Sequence, residues 1–254
     1  MTEPRRGIDL NADVGEGALT DAALVPLVSS ANVCAGAHAG DPRLMADTVR
    51  LAVRHGVAVG AHPGHADREH VGRRPLAVSP AEAAAVVHAQ IEAVAAIAGR
   101  DLHHVKLHGG LYHQVGGDPA LAEAVAAMLA ARWPGLVVYA AAGSVFAEVA
   151  RGHGLAVARE AFIDRGYRAD GTLVPRGAAG ATLDDPATAA ARSVRLAIDG
   201  VVRAADGSDI PIAADTLCIH GDGPRAVEIA AAVRAALAAA GVEIRAPTAR
   251  AGPR

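Results

Sequence analysis

The chain has 254 residues, 24 Lys and Arg against 27 Asp and Glu, and 52% hydrophobic residues. That apolar content and low net charge exclude a mainly disordered chain. Aromatics at 2% without a basic excess argue against a nucleic-acid binder.

Short apolar runs recur at 7–10, 31–35, 57–60, 104–107, 136–140, 155–158 and 216–219, with 242–245 as a candidate eighth. Most lack polar alternation, which suits strands buried on both faces in a parallel sheet. Helical stretches follow them. Five open on a cap followed by proline: Asp41-Pro42, Ser79-Pro80, Asp118-Pro119, Asp185-Pro186 and Gly223-Pro224. Ser79 with Glu82 makes a capping box. Gly56, Gly99, Gly200 and Gly241 mark helix ends. Strand–helix alternation over this length predicts a closed (β/α) barrel, with a doubly wound open sheet as the alternative. No composition break divides the chain, so 1–254 reads as one catalytic domain with tails at 1–6 and 247–254. Residues 166–181 are rich in Gly and Arg without periodicity and read as a loop over the strand ends, a lid candidate.

Cys34 and Cys218 form no disulfide scaffold and fit a reducing compartment as small core residues. The first ten residues carry no apolar leader, and the Ala-rich runs are broken by Glu, Arg or His. A cytoplasmic protein without a membrane partner is expected.

Polar clusters close most of the predicted strands. The first holds Asp9, Asn11, Asp13 and Glu16; an extended segment puts Asp9, Asn11 and Asp13 on one face. These suit a cation, a proton transfer or polar substrate groups. His38 sits among small residues, His62 follows the third strand, and Asp41 is explained as a helix cap. Lys106 is the sole lysine against 23 arginines. An ammonium inside a strand, two residues before His108 and on the same side, points to electrostatic or acid–base work that arginine cannot imitate. Glu160, Asp164, Arg165, Tyr167 and Arg176 form either a salt-bridged loop or a clamp for a carboxylate or phosphate. His220 and Asp222 lie at a strand–helix turn able to hold an anion. His65 and His70 read as loop surface. His55, His88, His103, His104, His113 and His153 read as structural or surface. No P-loop or GxGxxG fingerprint occurs.

Six motifs then carry a resemblance: IDLNADVGEG, SSANVCAGAHAGD, GVAVGAHPG with DRE after it, VKLHGGLY, EAFIDRGYRADGTLVPR and LCIHGDG. In this order and spacing, from residue 8 to about 246, the chain resembles the LamB/YcsF family. It departs at Cys34-Ala35-Gly36, where the family has Ala-Cys-Gly, and at Ala37, Gly64-His65-Ala66, Leu107 and His113. The resemblance implies a distorted, seven-stranded TIM-like barrel of the glycoside hydrolase/deacetylase type. It implies an ATP-dependent 5-oxoprolinase reaction, with 5-oxo-L-proline, ATP and water giving L-glutamate, ADP and phosphate. Subunits B and C are the implied partners.

Phosphorylating the lactam oxygen would make a stable amide electrophilic, which explains the need for ATP. On that reading Lys106 supplies positive charge, Asp13 or His62 is the base for water, and Arg165 and Arg176 bind carboxylate or phosphates. Magnesium would accompany ATP with one carboxylate. Asp13, His62 and His108 could instead hold a divalent metal in an amidase or deacetylase that needs no ATP. A non-catalytic, lactam-binding component is the remaining alternative.

Overall fold

The computed structural model describes residues 7–248. Seven parallel strands close on themselves: β1 (Gly7–Val14), β2 (Ser30–Cys34), β3 (Ala58–His62), β4 (Leu102–Lys106), β5 (Val137–Ala141), β6 (Ala156–Phe162) and, after an antiparallel hairpin β7 (Val201–Arg203) and β8 (Asp209–Pro211), β9 (Thr216–His220). β9 pairs with both β6 and β1, which closes the ring. A short β10 (Glu243–Ile244) adds to the start of β1. The closed barrel is thus found and the open sheet is not. The hairpin is not among the predicted elements; its strands are three residues each and one contains Pro211.

Helices α1 (Asp21–Leu24), α2 (Pro42–Arg54), α3 (Pro80–Ala98), α4 (Gly109–Gly117), α5 (Pro119–Arg132), α6 (Val145–Gly152), α7 (Pro186–Ile198) and α8 (Ala226–Ala239) connect the strands. Asp41, Ser79, Asp118 and Asp185 each cap a helix through the side chain, and Ser79 with Glu82 completes the capping box. Each such cap stabilises its helix by about 1 kcal/mol. The fifth predicted start is two residues early: α8 begins at Ala226, with Arg225 as its cap residue. α3 is, among the described residues, the one helix long and apolar enough by composition to cross a membrane. Here its Ala83, Val87, Ile91 and Val94 are buried in the core. The expected tails lie outside the described residues except at 247–248, where the Pro247 carbonyl accepts from His103 Nε2 at 2.7 Å.

The strands do alternate, contrary to the expectation. In β1, Ile8, Leu10, Ala12 and Val14 belong to the apolar core, while Asp9, Asn11 and Asp13 turn to the lumen. Both faces are buried, but one is polar. Ser30, Asn32, His104, Tyr139, Glu160 and Thr216 are likewise buried in the lumen and bonded to one another or to Asp9, Asn11 and Lys106. Polar interiors of this kind persist only when the groups satisfy each other.

Candidate active site

Three layers fill the lumen. Deepest, Asp9 accepts from Ser29 at 2.6 Å, Ser30 at 2.7 Å and Thr216 at 2.6 Å. Burial pushes its carboxyl up against these hydroxyl donors. Asp9 therefore lies below the site and not at its mouth, because β1 enters the barrel from that end.

Above it, Asn11 donates to Thr216 at 2.7 Å and to Glu160 at 3.0 Å, and its oxygen accepts from Lys106 Nζ at 3.1 Å. Lys106 Nζ also lies 2.8 Å from Asp13, 2.9 Å from Glu160 and 3.0 Å from Cys218 Sγ. Burial alone would push the lysine pKa down; the carboxylates, Asp13 first, hold it well above its ordinary value. Burial likewise pushes Asp13 up, but His62 and Lys106 outweigh it and hold the carboxyl well below the usual range. The Cys218 thiol is driven up by burial, so it meets Lys106 as a neutral group. Glu160 further accepts from Tyr112 Oη at 2.8 Å. The ammonium is thus fixed as a charge by two carboxylates from different strands.

The upper layer is a knot of imidazoles. His62 Nε2 lies 3.3 Å from Asp13 and 2.9 Å from His108 Nδ1. His38 stacks on His108 with ring centroids 3.8 Å apart. Glu16 lies 3.1 Å from His38 Nε2 and 3.4 Å from His108 Nδ1. Burial, then His62 and His38, depress His108 to about 3. Glu16 is held at about 2, since its bond to His38 and the His108 charge outweigh burial. His62 is raised because Asp13 outweighs burial.

Above this knot opens a cavity of about 340 Å³, lined by Asp13, His62, Lys106, His108, Tyr112 and His220 among others. Arg73, Arg165 and Arg176 also line it. Leu173 to Arg176 form part of the wall, so the 166–181 loop does cover the strand ends. It is pinned there: Arg165 donates to the carbonyls of Ala181 at 3.0 Å and Val174 at 2.8 Å.

The structure brings Asp13, Glu16, His38, His62, Lys106, His108, Asn11 and Glu160 into one connected group. Asp164 supports it by accepting from the His220 backbone N–H at 2.7 Å and facing His220 Nδ1 at 2.9 Å. Others fall elsewhere. Tyr167 accepts from the Phe162 N–H at 2.7 Å and is buried outside the cavity, where it anchors the loop. Asp222 is exposed and paired with Arg73 at the mouth. His65, read as surface, is buried against Gln114 at 2.7 Å. His104 fills the lumen between Asn32 and Tyr139. His113 lines the cavity, where burial, then Arg165 and Arg176, lower its pKa. Sequence reasoning misses Asn32, Tyr112, Arg73 and Cys218. Asn32 and Cys218 carry a signal, since each is two residues from another inward-facing position on its own strand, and Tyr112 closes the VKLHGGLY motif; Arg73 comes from a loop and carries none.

The LamB/YcsF family model matches residues 8–252. The chain belongs to the LamB/YcsF family. Among its relatives, the A component of 5-oxoprolinase from Heliobacterium modesticaldum is 49% identical over 247 residues, covering 94% of this chain and 97% of that protein. A Thermus thermophilus protein of the same name is also 49% identical, over 94% of this chain and 99% of its own length. The crystal structure of the lactam utilization protein from Thermus thermophilus superposes with a TM-score of 0.88 at 46% identity, covering 95% of this chain and all of that one. A T48 deacetylase superposes at a TM-score of 0.52 with 12% identity, over 94% of this chain and 87% of that one, which shows a shared barrel fold alone.

Proposed function

We propose that this LamB/YcsF chain is the A component of an ATP-dependent 5-oxoprolinase that opens 5-oxo-L-proline to L-glutamate in the cytoplasm with subunits B and C. The names of relatives nearly half identical over almost the whole chain support it. The observation that carries it is the buried Lys106 ammonium, held by Asp13 and Glu160 at the floor of a small cavity lined in part by arginines. A cavity of about 340 Å³ suits a small ligand.

In this reading Arg176 and Arg73 receive the substrate carboxylate or the phosphates. The lactam oxygen faces Lys106. The hydrogen bonds of that ammonium go to Asp13, Asn11 and Cys218, and Glu160 pairs with it at 2.9 Å. It therefore acts through its field on the charge that grows at the oxygen during phosphoryl transfer or water attack. Asp13 and His62, 3.3 Å apart, hold the proton taken from water. Magnesium would accompany ATP, and Asp222, an exposed carboxylate paired with Arg73, would reach it by releasing that arginine to the phosphates.

The test is reconstitution with subunits B and C, 5-oxoproline and ATP, assaying glutamate. Lys106→Arg keeps charge but not shape; a variant as fast as wild type removes Lys106 from the mechanism. The Glu16, His38, His62 and His108 cluster favours a second reading, a metal-dependent amidase, in which a bound cation would polarise the amide carbonyl. Glutamate formation without nucleotide would select it.

A further inference from the structure

We propose that Glu16, His38, His62 and His108 form a binding site for one divalent transition-metal ion of the zinc class. Asp13, a ligand expected from the sequence, is not one of the four: Asn32 and Lys106, each at 2.8 Å, hold its Oδ1, and its Oδ2 faces His62 Nε2 at 3.3 Å as an outer partner of that ring.

The first argument is the hydrogen-bond inventory. His62 Nδ1 lies 2.8 Å from the Lys106 carbonyl, and His108 Nε2 lies 2.8 Å from the Val71 carbonyl. A carbonyl only accepts, so both of those nitrogens carry hydrogen. In neutral rings the opposite nitrogens, His62 Nε2 and His108 Nδ1, are then bare. Yet they face each other at 2.9 Å. Two lone pairs repel at that distance unless a cation, either a proton or a metal ion, sits on them. Ring N–H groups fixed by carbonyls are the arrangement that orients imidazole ligands.

The second argument is distance. Ligands about 2.0–2.1 Å from a tetrahedral ion are about 3.3 Å from one another. Glu16 lies 3.1 Å from His38, 3.4 Å from His108 and 3.9 Å from His62, with His62 to His108 at 2.9 Å. All four donor atoms lie within 4.8 Å of one another. The rings of His38 and His108 stack in parallel with centroids 3.8 Å apart, so a common ion requires one of them to turn. Three imidazoles and one carboxylate select a zinc-class ion over magnesium, which requires oxygen ligands.

The third argument is that the pocket is built around the rings. A Cβ at Gly64 would meet His38 Nδ1 at 2.7 Å, and one at Gly72 would meet His38 Cβ at 2.7 Å. The carbonyl holding His108 belongs to Val71, a β-branched residue at φ +50°. Such a conformation is rare and costs about 1–2 kcal/mol. Backbone strain stored beside a cluster is a mark of a functional site.

The inference does not use the lactam reaction, and its test reads metal alone. The full chain, stripped with chelator, is titrated with Co²⁺ and followed by visible absorption, then with Zn²⁺ by calorimetry. One equivalent of Co²⁺ should give ligand-field bands that Zn²⁺ abolishes. His38→Gln and Glu16→Gln should each weaken Zn²⁺ binding by at least about tenfold, while the exposed His70→Ala should leave it unchanged. No stoichiometric binding by the unmodified chain overturns the site, and that result does not depend on any variant folding. Binding that survives both variants, or that is lost with His70, overturns it equally.

Discussion

Removing the lone lysine should destabilise the fold as well as the chemistry. Lys106→Met leaves two buried carboxylates, Asp13 and Glu160, without the ammonium 2.8 Å and 2.9 Å away. Asp13 keeps Asn32 at 2.8 Å and His62 at 3.3 Å, and Glu160 keeps Tyr112 at 2.8 Å and Asn11 at 3.0 Å. The donors left to Glu160 are neutral and do not cancel its charge. Breaking one buried pair costs about 3–5 kcal/mol, and the Glu160 carboxylate, left with neutral donors alone, brings this site into that range. For a chain of this size that lowers Tm by roughly 6–20 °C. The sign with pH follows from the shifts. Lys106 is raised, so its contribution is complete below the unfolded lysine pKa and lost as pH rises through the folded one. Asp13 is lowered, so its contribution is present above the ordinary carboxylate pKa and lost as pH falls through the folded value. The wild-type pair is therefore intact between about pH 5 and 9. In the variant, burial without an ammonium favours the protonated carboxyls, so acid relieves the defect. Urea unfolding followed by circular dichroism at pH 7 and pH 5 measures this. The deficit should be large at pH 7 and smaller at pH 5. A loss below about 1 kcal/mol at pH 7 would refute the buried-pair argument, as would a deficit that acid leaves unchanged.

Gly60→Ala should destabilise the fold by about 1–3 kcal/mol, because its Cβ would meet the His104 ring at Nε2 and push that ring off Asn32; thermal unfolding reads it. Both cysteines should resist a thiol reagent at pH 8 until the chain is denatured, since burial drives Cys34 up to about 11 and raises Cys218 as well. Titration of two thiols in the native protein would contradict this. Arg176→Ala should raise KM for 5-oxoproline or ATP more than it lowers kcat, because the side chain stands at the exposed edge of the cavity. Steady-state kinetics of the reconstituted enzyme separate the two.

Much of the architecture is legible because parallel barrels write strands as short apolar runs and helices as capped, proline-initiated segments. Asp41, Ser79, Asp118 and Asp185 show their caps in the sequence and make them in the structure. The hairpin is not legible, since three-residue strands carry no period. At the site, Lys106 is legible by its rarity. His38, His62 and His108 are legible by their place after strands. Depth is not: Asp9 and Asp13 belong to one motif, yet four residues along a strand separate the barrel floor from its working end. Nor can composition tell the lumen from the core. His104 opens a predicted strand and reads as structural or surface until parallel pairing sets it beside Val137 with its ring on Tyr139.

The layered lumen gives Asp9 a role different from substrate binding. Its carboxylate accepts from Thr216 Oγ1, and Thr216 Oγ1 accepts from Asn11 Nδ2. That polarity turns the Asn11 amide so that its oxygen, not its nitrogen, faces Lys106 at 3.1 Å. An Asp9→Asn side chain can present an NH₂ group to Thr216, and the hydroxyl then loses its acceptor. With its lone pairs contested, the Asn11 amide loses one of the bonds that orient it, keeping Glu160 at 3.0 Å and Asn32 at 2.7 Å, and a flipped amide would set N–H against the ammonium. Asp9 is thus a positioning residue acting through two others. Outer groups of this kind typically contribute about 10–100-fold. Asp9→Asn should lower kcat of the reconstituted enzyme by about tenfold at that scale and leave KM for 5-oxoproline unchanged, because no substrate reaches the floor layer. Asp9→Glu should not rescue, since the chamber bounded by Ser29, Ser30 and Thr216 is closed at 2.6–2.7 Å contacts. A rise in KM with kcat intact would mean that the ligand contacts Asp9 directly, and the layered reading of the barrel would fail.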